Sequence, residues 1–349
     1  MKKIIAVLLS VVLLLSCVSL TAFASGRKAA LPTSAGIAAL RNEFSIDTAP
    51  SAGGYALDYA YYSPAGTNDN GKYPLVIFLH GIGHGDHVGS QLDDSDMPYW
   101  ASSELQSRFT EGGAFILLPR APEHKLVYWS KSLIESLRAV IDDMIEKHGK
   151  NIDTTKIFIG GSSAGGEMTW DMIISFPEYF AGAFPIASTG TVSASDTQKC
   201  SSVAIWMISS KLDPVVSYTA TTKPLWNNVV KYNDNPAMCR LTSFSSVREP
   251  SGSGASDNHH MAKVVTYDLH MLDGSIYPDV THESGTGESL TLKSPDGMIY
   301  WMNSLSSSYG GQKGEGSGNI NVNGITNVFD AIRNFFLKIV NLFQRLFGL

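Results

Sequence analysis

Five consecutive residues carry the sharpest chemical suggestion in the chain: Gly161-Ser162-Ser163-Ala164-Gly165, a G-x-S-x-G pentapeptide. They sit inside "KIFIGGSSAGGEMTW" (156–170), where an apolar β-branched run meets small residues and then a segment of helical character. That arrangement suits a serine held out on a strained strand-to-helix turn. The flanking residues must be tiny because the backbone passes close to itself, and the following helix aims its free N–H groups and positive dipole end at the serine. Ser163 is then a nucleophile, and the Ala164 N–H a donor to an oxyanion. A plain strand-to-helix loop would read similarly in a chain with 32 glycines, so the partners decide.

Three further groups follow apolar runs. "HGIG" (80–83) comes after "PLVIFLH", and its glycine-rich bend leaves backbone N–H groups to point inward, that of Ile82 foremost. Asp213 comes after "VAIWMISS" (203–210) and precedes Pro214, where a carboxylate could orient a histidine. His282, in "IYPDVTHESG", follows an apolar segment and precedes a loop, and is read as the base. Its rivals are assigned elsewhere: His259 and His260 to the surface beside a polar stretch, His270 to a strand or hairpin. The cluster His80, His84, Asp86 and His87 also invites a metal, but H-x3-H-x2-H crowds three ligands onto one loop and no partner cluster accompanies it. The reading therefore includes no metal and no cofactor.

These groups need a frame. "YPLVIFLH" (73–80), "GAFILLP" (113–119), "TKIFIG", "GAFPIAS" (182–188), "VAIWMISS" and "RLTSFSSV" (240–247) read as strands, several of them buried on both faces. "SLIESLRAVIDDMIEKHG" (132–149) places Leu133, Leu137, Val140, Ile141, Met144 and Ile145 on one helical stripe, with Gly149 as a stop. "GEMTWDMIISF" and "SYTATTKPLWNNVVKY" are further helices, and "YALDYAYY" (55–62) an antiparallel edge strand. Buried strands alternating with amphipathic helices predict an α/β fold, a mainly parallel central sheet flanked by helices. Ligands of such sheets bind beyond the C-terminal ends of the strands, which is where the 80–83 bend, Ser163, Asp213 and His282 are expected, the last three in the order serine, acid, histidine.

In order, "YPLVIFLHGIGHGDHVGSQL", "AFILLPRAP", "IDTTKIFIGGSSAGGEMTWDMIISFPEYFAGAFPIAS", "DPVVS" and "THES" resemble the secreted α/β-hydrolase esterases, the polyhydroxybutyrate-depolymerase-like, feruloyl-esterase-like and esterase-D-like group. The resemblance runs from about Tyr73 to Trp301. It implies the α/β-hydrolase fold, a Ser163–Asp213–His282 triad, and oxyanion donors at Ile82 and Ala164. An aromatic residue often follows the histidine in that group, whereas Glu283 and Ser284 follow here.

The rest of the chain sets the context. Net charge is -6, with no Lys/Arg-rich run, which argues against a nucleic-acid partner. Lys2 and Lys3, the apolar run 4–15 and "AFA" (22–24) read as an export signal over 1–24, shorter than the about 20 apolar residues of a membrane span. Cys17 in "LLSC" offers lipidation as an alternative. Cys200 and Cys239 each precede a predicted strand, and either form one disulfide or remain two buried thiols. The catalytic body spans 25–308, with a polar insertion at 248–257. Residues 309–324 form a Gly/Ser-rich linker. Residues 325–349 form an amphipathic helix, suited to a membrane or cell surface, a partner chain, or the body itself.

The leading expectation is a serine carboxylesterase, secreted freely or retained at the cell surface, acting on feruloyl or acetyl esters of plant polysaccharides or on short polyesters. The alternatives are a serine peptidase of the prolyl-oligopeptidase type and an inactive hydrolase-fold module that binds surfaces.

Overall fold

The apolar runs assemble into one ten-stranded sheet in the order β1-β2-β4-β3-β5-β6-β7-β8-β9-β10. The strands are β1 (Ser45–Thr48), β2 (Asp58–Tyr62), β3 (Tyr73–Leu79), β4 (Phe115–Pro119), β5 (Ile152–Ser162), β6 (Gly182–Ile186), β7 (Ala204–Ser210), β8 (Arg240–Phe244), β9 (Thr281–Ser284) and β10 (Ser289–Leu290). The helices are α1 (Ser34–Leu40), α2 (Ser103–Gln106), α3 (Ile134–His148), α4 (Ala164–Ser175), α5 (Ala194–Lys199), α6 (Lys223–Tyr232) and α7 (Met298–Asn303). This computed structural model describes residues 34–64, 71–93, 97–122, 129–188, 190–245, 247, 259–260, 262–263, 280–292 and 297–307, all within one unit, Met1–Gly310. The export signal, Cys17, the polar insertion, His270, the linker and the C-terminal helix lie outside the described residues.

The six strands from β4 through β8 are mutually parallel, and antiparallel strands close both edges. Helices can cover both faces of such a sheet, so its central strands are apolar throughout: every residue of β3, β4, β6 and β7 is buried. Alternation divides them between two cores. Leu75, Ile77 and Leu79 of β3 join the core under α3, α4 and α6, while Val76 and Phe78 join the opposite core with Trp100, Phe184 and Trp301. The stripe read from the sequence holds, since Leu137, Val140, Ile141 and Met144 are the buried face of α3.

Chain order fixes where a ligand can enter. From β3 the chain moves to β4 on one side and then returns to β5 on the other. That reversal opens a crevice between the C-terminal ends of β3 and β5. The segments leaving those two ends are the 80–83 bend and Ser163.

Of the two readings of the cysteines the structure has the second: Cys200 and Cys239 are free and buried. The strands that follow them, β7 and β8, are parallel neighbours. Cys200, however, caps the C-terminus of α5, with its thiol directed at the carbonyl oxygens of Thr197 (3.4 Å) and Asp196 (3.7 Å). Burial pushes both thiols up to about 12, so neither is poised to ionise.

Candidate active site

Ser163 stands between β5 and α4 at φ 57°, ψ −118°. Among the described non-glycine residues only Ser163 and Ala187 have positive φ. A conformation of this kind costs of order 1–3 kcal/mol and persists only where its surroundings enforce it. Here they do. The Ser163 N–H donates to the Ile186 carbonyl at the end of β6 (3.0 Å), and the Ser163 carbonyl accepts the first turn of α4 from Glu167 N–H (3.0 Å). The small neighbours are required by contact: a Cβ on Gly165 would lie 2.1 Å from the Leu79 carbonyl oxygen, and one on Gly161 2.5 Å from that of Gly165. Ala164 is the first residue of α4, and an N–H at that position has no partner within its own helix.

The bend after β3 lies against this turn. A Cβ on Gly81 would sit 3.7 Å from that of Ser163. Ile82, one residue on, is 62% exposed. His80 beneath it is buried, with Nδ1 2.7 Å from the Gly81 carbonyl oxygen and Nε2 accepting from Ala121 N–H at 3.1 Å. Both ring nitrogens therefore serve the backbone. His87 instead faces Asp86 and Asp93 at the surface. Among the described residues no group of three or more His, Cys, Asp or Glu side chains is arranged to hold a metal.

Asp213 follows β7, as the sequence indicated, and its side chain is fully buried. Oδ1 accepts from the N–H groups of Val215 (2.8 Å) and Val216 (2.9 Å), so Pro214 starts a turn that wraps the carboxylate. Oδ2 stands 2.8 Å from Nδ1 of His260.

That contact corrects the reading of the histidines. His260, assigned to the surface, is the one paired with Asp213. His282, expected as the base, lies inside β9 directly across from Thr242 of β8. Its Nδ1 is 2.9 Å from the Thr242 hydroxyl, which also accepts the Trp206 indole N–H (2.8 Å). A buried side chain in the middle of a ladder is held by its cross-strand neighbour. His260 instead sits in the long connection between β8 and β9, which can bring it over Asp213. The signal available in the sequence was positional, because the connection after "RLTSFSSV" is the stretch that returns past the end of β7.

The parallel sheet with its switch point, the strand–serine–helix turn and the buried acid after β7, paired with His260, stand together in one fold. A thermostable esterase of known structure is similar to this chain over 66% of it and 61% of its own length, with 26% identity and a TM-score of 0.54. The fold is that of the α/β-hydrolases. An acylaminoacyl peptidase from Pyrococcus horikoshii is similar at 13% identity over 66% of this chain and 40% of its own (TM-score 0.48). An acylaminoacyl peptidase bound to Z-Gly-Gly-Phe-chloromethyl ketone is similar at 12% identity over 74% and 43% (TM-score 0.47). The chain thus spans about three fifths of the esterase and two fifths of the peptidases. No protein-family model and no curated protein sequence matches it. In this α/β-hydrolase fold, Ser163 and Asp213 stand beyond β5 and β7, two strand spacings or about 10 Å apart in sheet terms. An imidazole held by the acid is the natural bridge across that gap.

Proposed function

We propose that the protein is a serine hydrolase of carboxylic esters, working through an acyl-enzyme with Ser163, His260 and Asp213. The observation that carries this reading is the pairing of the buried Asp213 carboxylate with the half-buried His260 at the same edge of the sheet as the strained Ser163 turn. Ser163 Oγ attacks the ester carbonyl carbon. Its proton passes to Nε2 of His260, because Nδ1 is committed to Asp213. Asp213 holds the ring in that tautomer and stabilises the imidazolium. The oxyanion is received by the N–H groups of Ile82 and Ala164, donors fixed before the reaction begins. The imidazolium returns its proton to the leaving alcohol, and a water activated by His260 then releases the acid and restores Ser163.

The chain of residues 1–24 supports export as the setting, and the similarity to a thermostable esterase supports esters over amides. Feruloyl, acetyl and short polyester substrates are the classes to compare. The test is hydrolysis of short-chain and feruloyl aryl esters by the protein from Ser25 onward, beside Ser163→Ala. Turnover by the parent and its loss in the variant is the expected result. Equal turnover by both would end the proposal, and cleavage of acyl-peptides in place of esters would move it to the peptidase class.

A further inference from the structure

His80 takes no part in the chemistry just described, yet it is buried at the root of the 80–83 bend. We infer that His80 is a positioning residue that sets the direction of the Ile82 N–H, acting through the Gly81–Ile82 peptide group. The inference rests on the serine-hydrolase reading.

The Gly81 carbonyl and the Ile82 N–H are two ends of one planar trans peptide, so they point in opposite directions. Whatever holds the carbonyl aims the amide. The Gly81 oxygen is held by His80 Nδ1 at 2.7 Å. A carbonyl oxygen only accepts, so Nδ1 carries the proton. Nε2 must then be an acceptor, and it receives the Ala121 N–H at 3.1 Å. Two independent backbone groups, one from each side, thus require the same tautomer. The ring cannot drift: Trp129 lies against it at 5.2 Å between centroids and donates its indole N–H to the His80 carbonyl (2.9 Å). Rotating the Gly81–Ile82 peptide would strand Nδ1–H in a buried place, where an unmade hydrogen bond is costly.

The far end of the bend is anchored separately. Arg120 Nη1 donates to the Gly85 carbonyl (2.8 Å) while Nη2 pairs with Asp58, and Ser90 Oγ donates to the His84 carbonyl (2.9 Å). Loss of the His80 contact therefore frees one peptide plane without releasing the loop. That plane adjoins the nucleophile, as the 3.7 Å approach between a Gly81 Cβ and the Ser163 Cβ shows.

The two ring nitrogens can be separated by substitution. In His80→Asn the side-chain NH2 occupies the place of Nδ1 and keeps the donor to Gly81. In His80→Gln the amide oxygen reaches the place of Nε2 and keeps the acceptor for Ala121, but the donor to Gly81 is lost. We expect His80→Gln to lose about 100- to 1,000-fold in kcat, the usual loss for one oxyanion donor, with KM unchanged. His80→Asn should keep most of kcat. A merely structural role would lower both alike, in step with their melting temperatures, so equal kcat in the two variants overturns the inference. Should either variant fail to fold, nitrogen NMR of the parent protein decides: a His80 ring protonated on Nε2 overturns it, and one protonated on Nδ1 supports it. Ser163→Ala is run in parallel. Turnover surviving in Ser163→Ala sinks the hydrolase reading and this inference with it. Turnover lost in Ser163→Ala but equal in the two His80 variants sinks this inference alone.

Discussion

Asp213 and the two histidines around it separate a catalytic placement from a structural one by their hydrogen bonds. The carboxylate of Asp213 is satisfied by two backbone N–H groups on one oxygen and His260 on the other. His282 is satisfied within the ladder, by Thr242. The two side chains therefore fail differently when removed. His260→Ala should lower kcat about 100- to 10,000-fold, the range for a general acid–base, with little change in unfolding. His282→Ala should leave kcat near the parent value and cost about 1–3 kcal/mol of stability, because it leaves buried polar partners short of a hydrogen bond. Steady-state kinetics and urea unfolding of both variants separate the two roles, and the opposite pattern would return the base to His282. The strand-end positions of Ser163, Asp213 and the 80–83 bend were legible in the sequence because each is encoded locally, by small residues or a Pro beside the end of a β-branched run. The histidine that pairs with Asp213 was not. Its position depends on how a connection of many residues returns over the sheet, and no local pattern encodes that path.

At the level of elements, periodicity gave what depends on one face being buried. The α3 stripe and the central strands came out as read because their burial is continuous. At the edges, the antiparallel strand read in "YALDYAYY" is β2, one strand in from the edge, but β1 is four residues and mostly exposed, and β9 and β10 form a short hairpin, so neither has an apolar pattern to detect. These edges are tied down by polar contacts instead. Lys147 on α3 reaches Asp47 of β1 (2.6 Å) and Asp143 (2.7 Å), and Asp143 accepts from the buried Tyr59 hydroxyl of β2 (2.5 Å). His148 closes the helix between the rings of Tyr61 (5.1 Å) and Phe115 (5.6 Å). Two effects compete there. The negative end of the helix dipole favours the imidazolium, whereas burial and the neighbouring Lys147 charge oppose it, outweighing attraction from Asp143 and Asp47. The net direction is a lowered pKa. A histidine whose pKa is depressed by folding contributes stability above its unfolded value near 6.5, and that stability is lost as pH falls through the lowered folded value. The melting temperature should therefore drop between pH 7.5 and pH 5 by more in the parent than in His148→Phe, which keeps the ring packing and cannot ionise. Parallel slopes in thermal melts across that range would rule out His148 as the source.

Over the described body, the sheet reverses its winding between β3 and β5, and that reversal brings the 80–83 bend and the Ser163 turn together. The body that supports them is closed on both faces. One core joins β3, β5 and β7 to α3, α4 and α6, and the other joins the alternate residues of the same strands to Trp100 and to Trp301 on α7, with members running from Ala49 to Leu305. For the amphipathic pattern of 325–349 we propose retention at a membrane or cell surface. Removing residues 311–349 should leave the melting temperature and ester turnover at the parent values while shifting the exported protein from the cells into the medium. A lower melting temperature would instead make the helix part of the body's packing. An unchanged distribution with unchanged stability would leave a partner chain as its target, to be sought by comparing the oligomeric state of the two forms in solution.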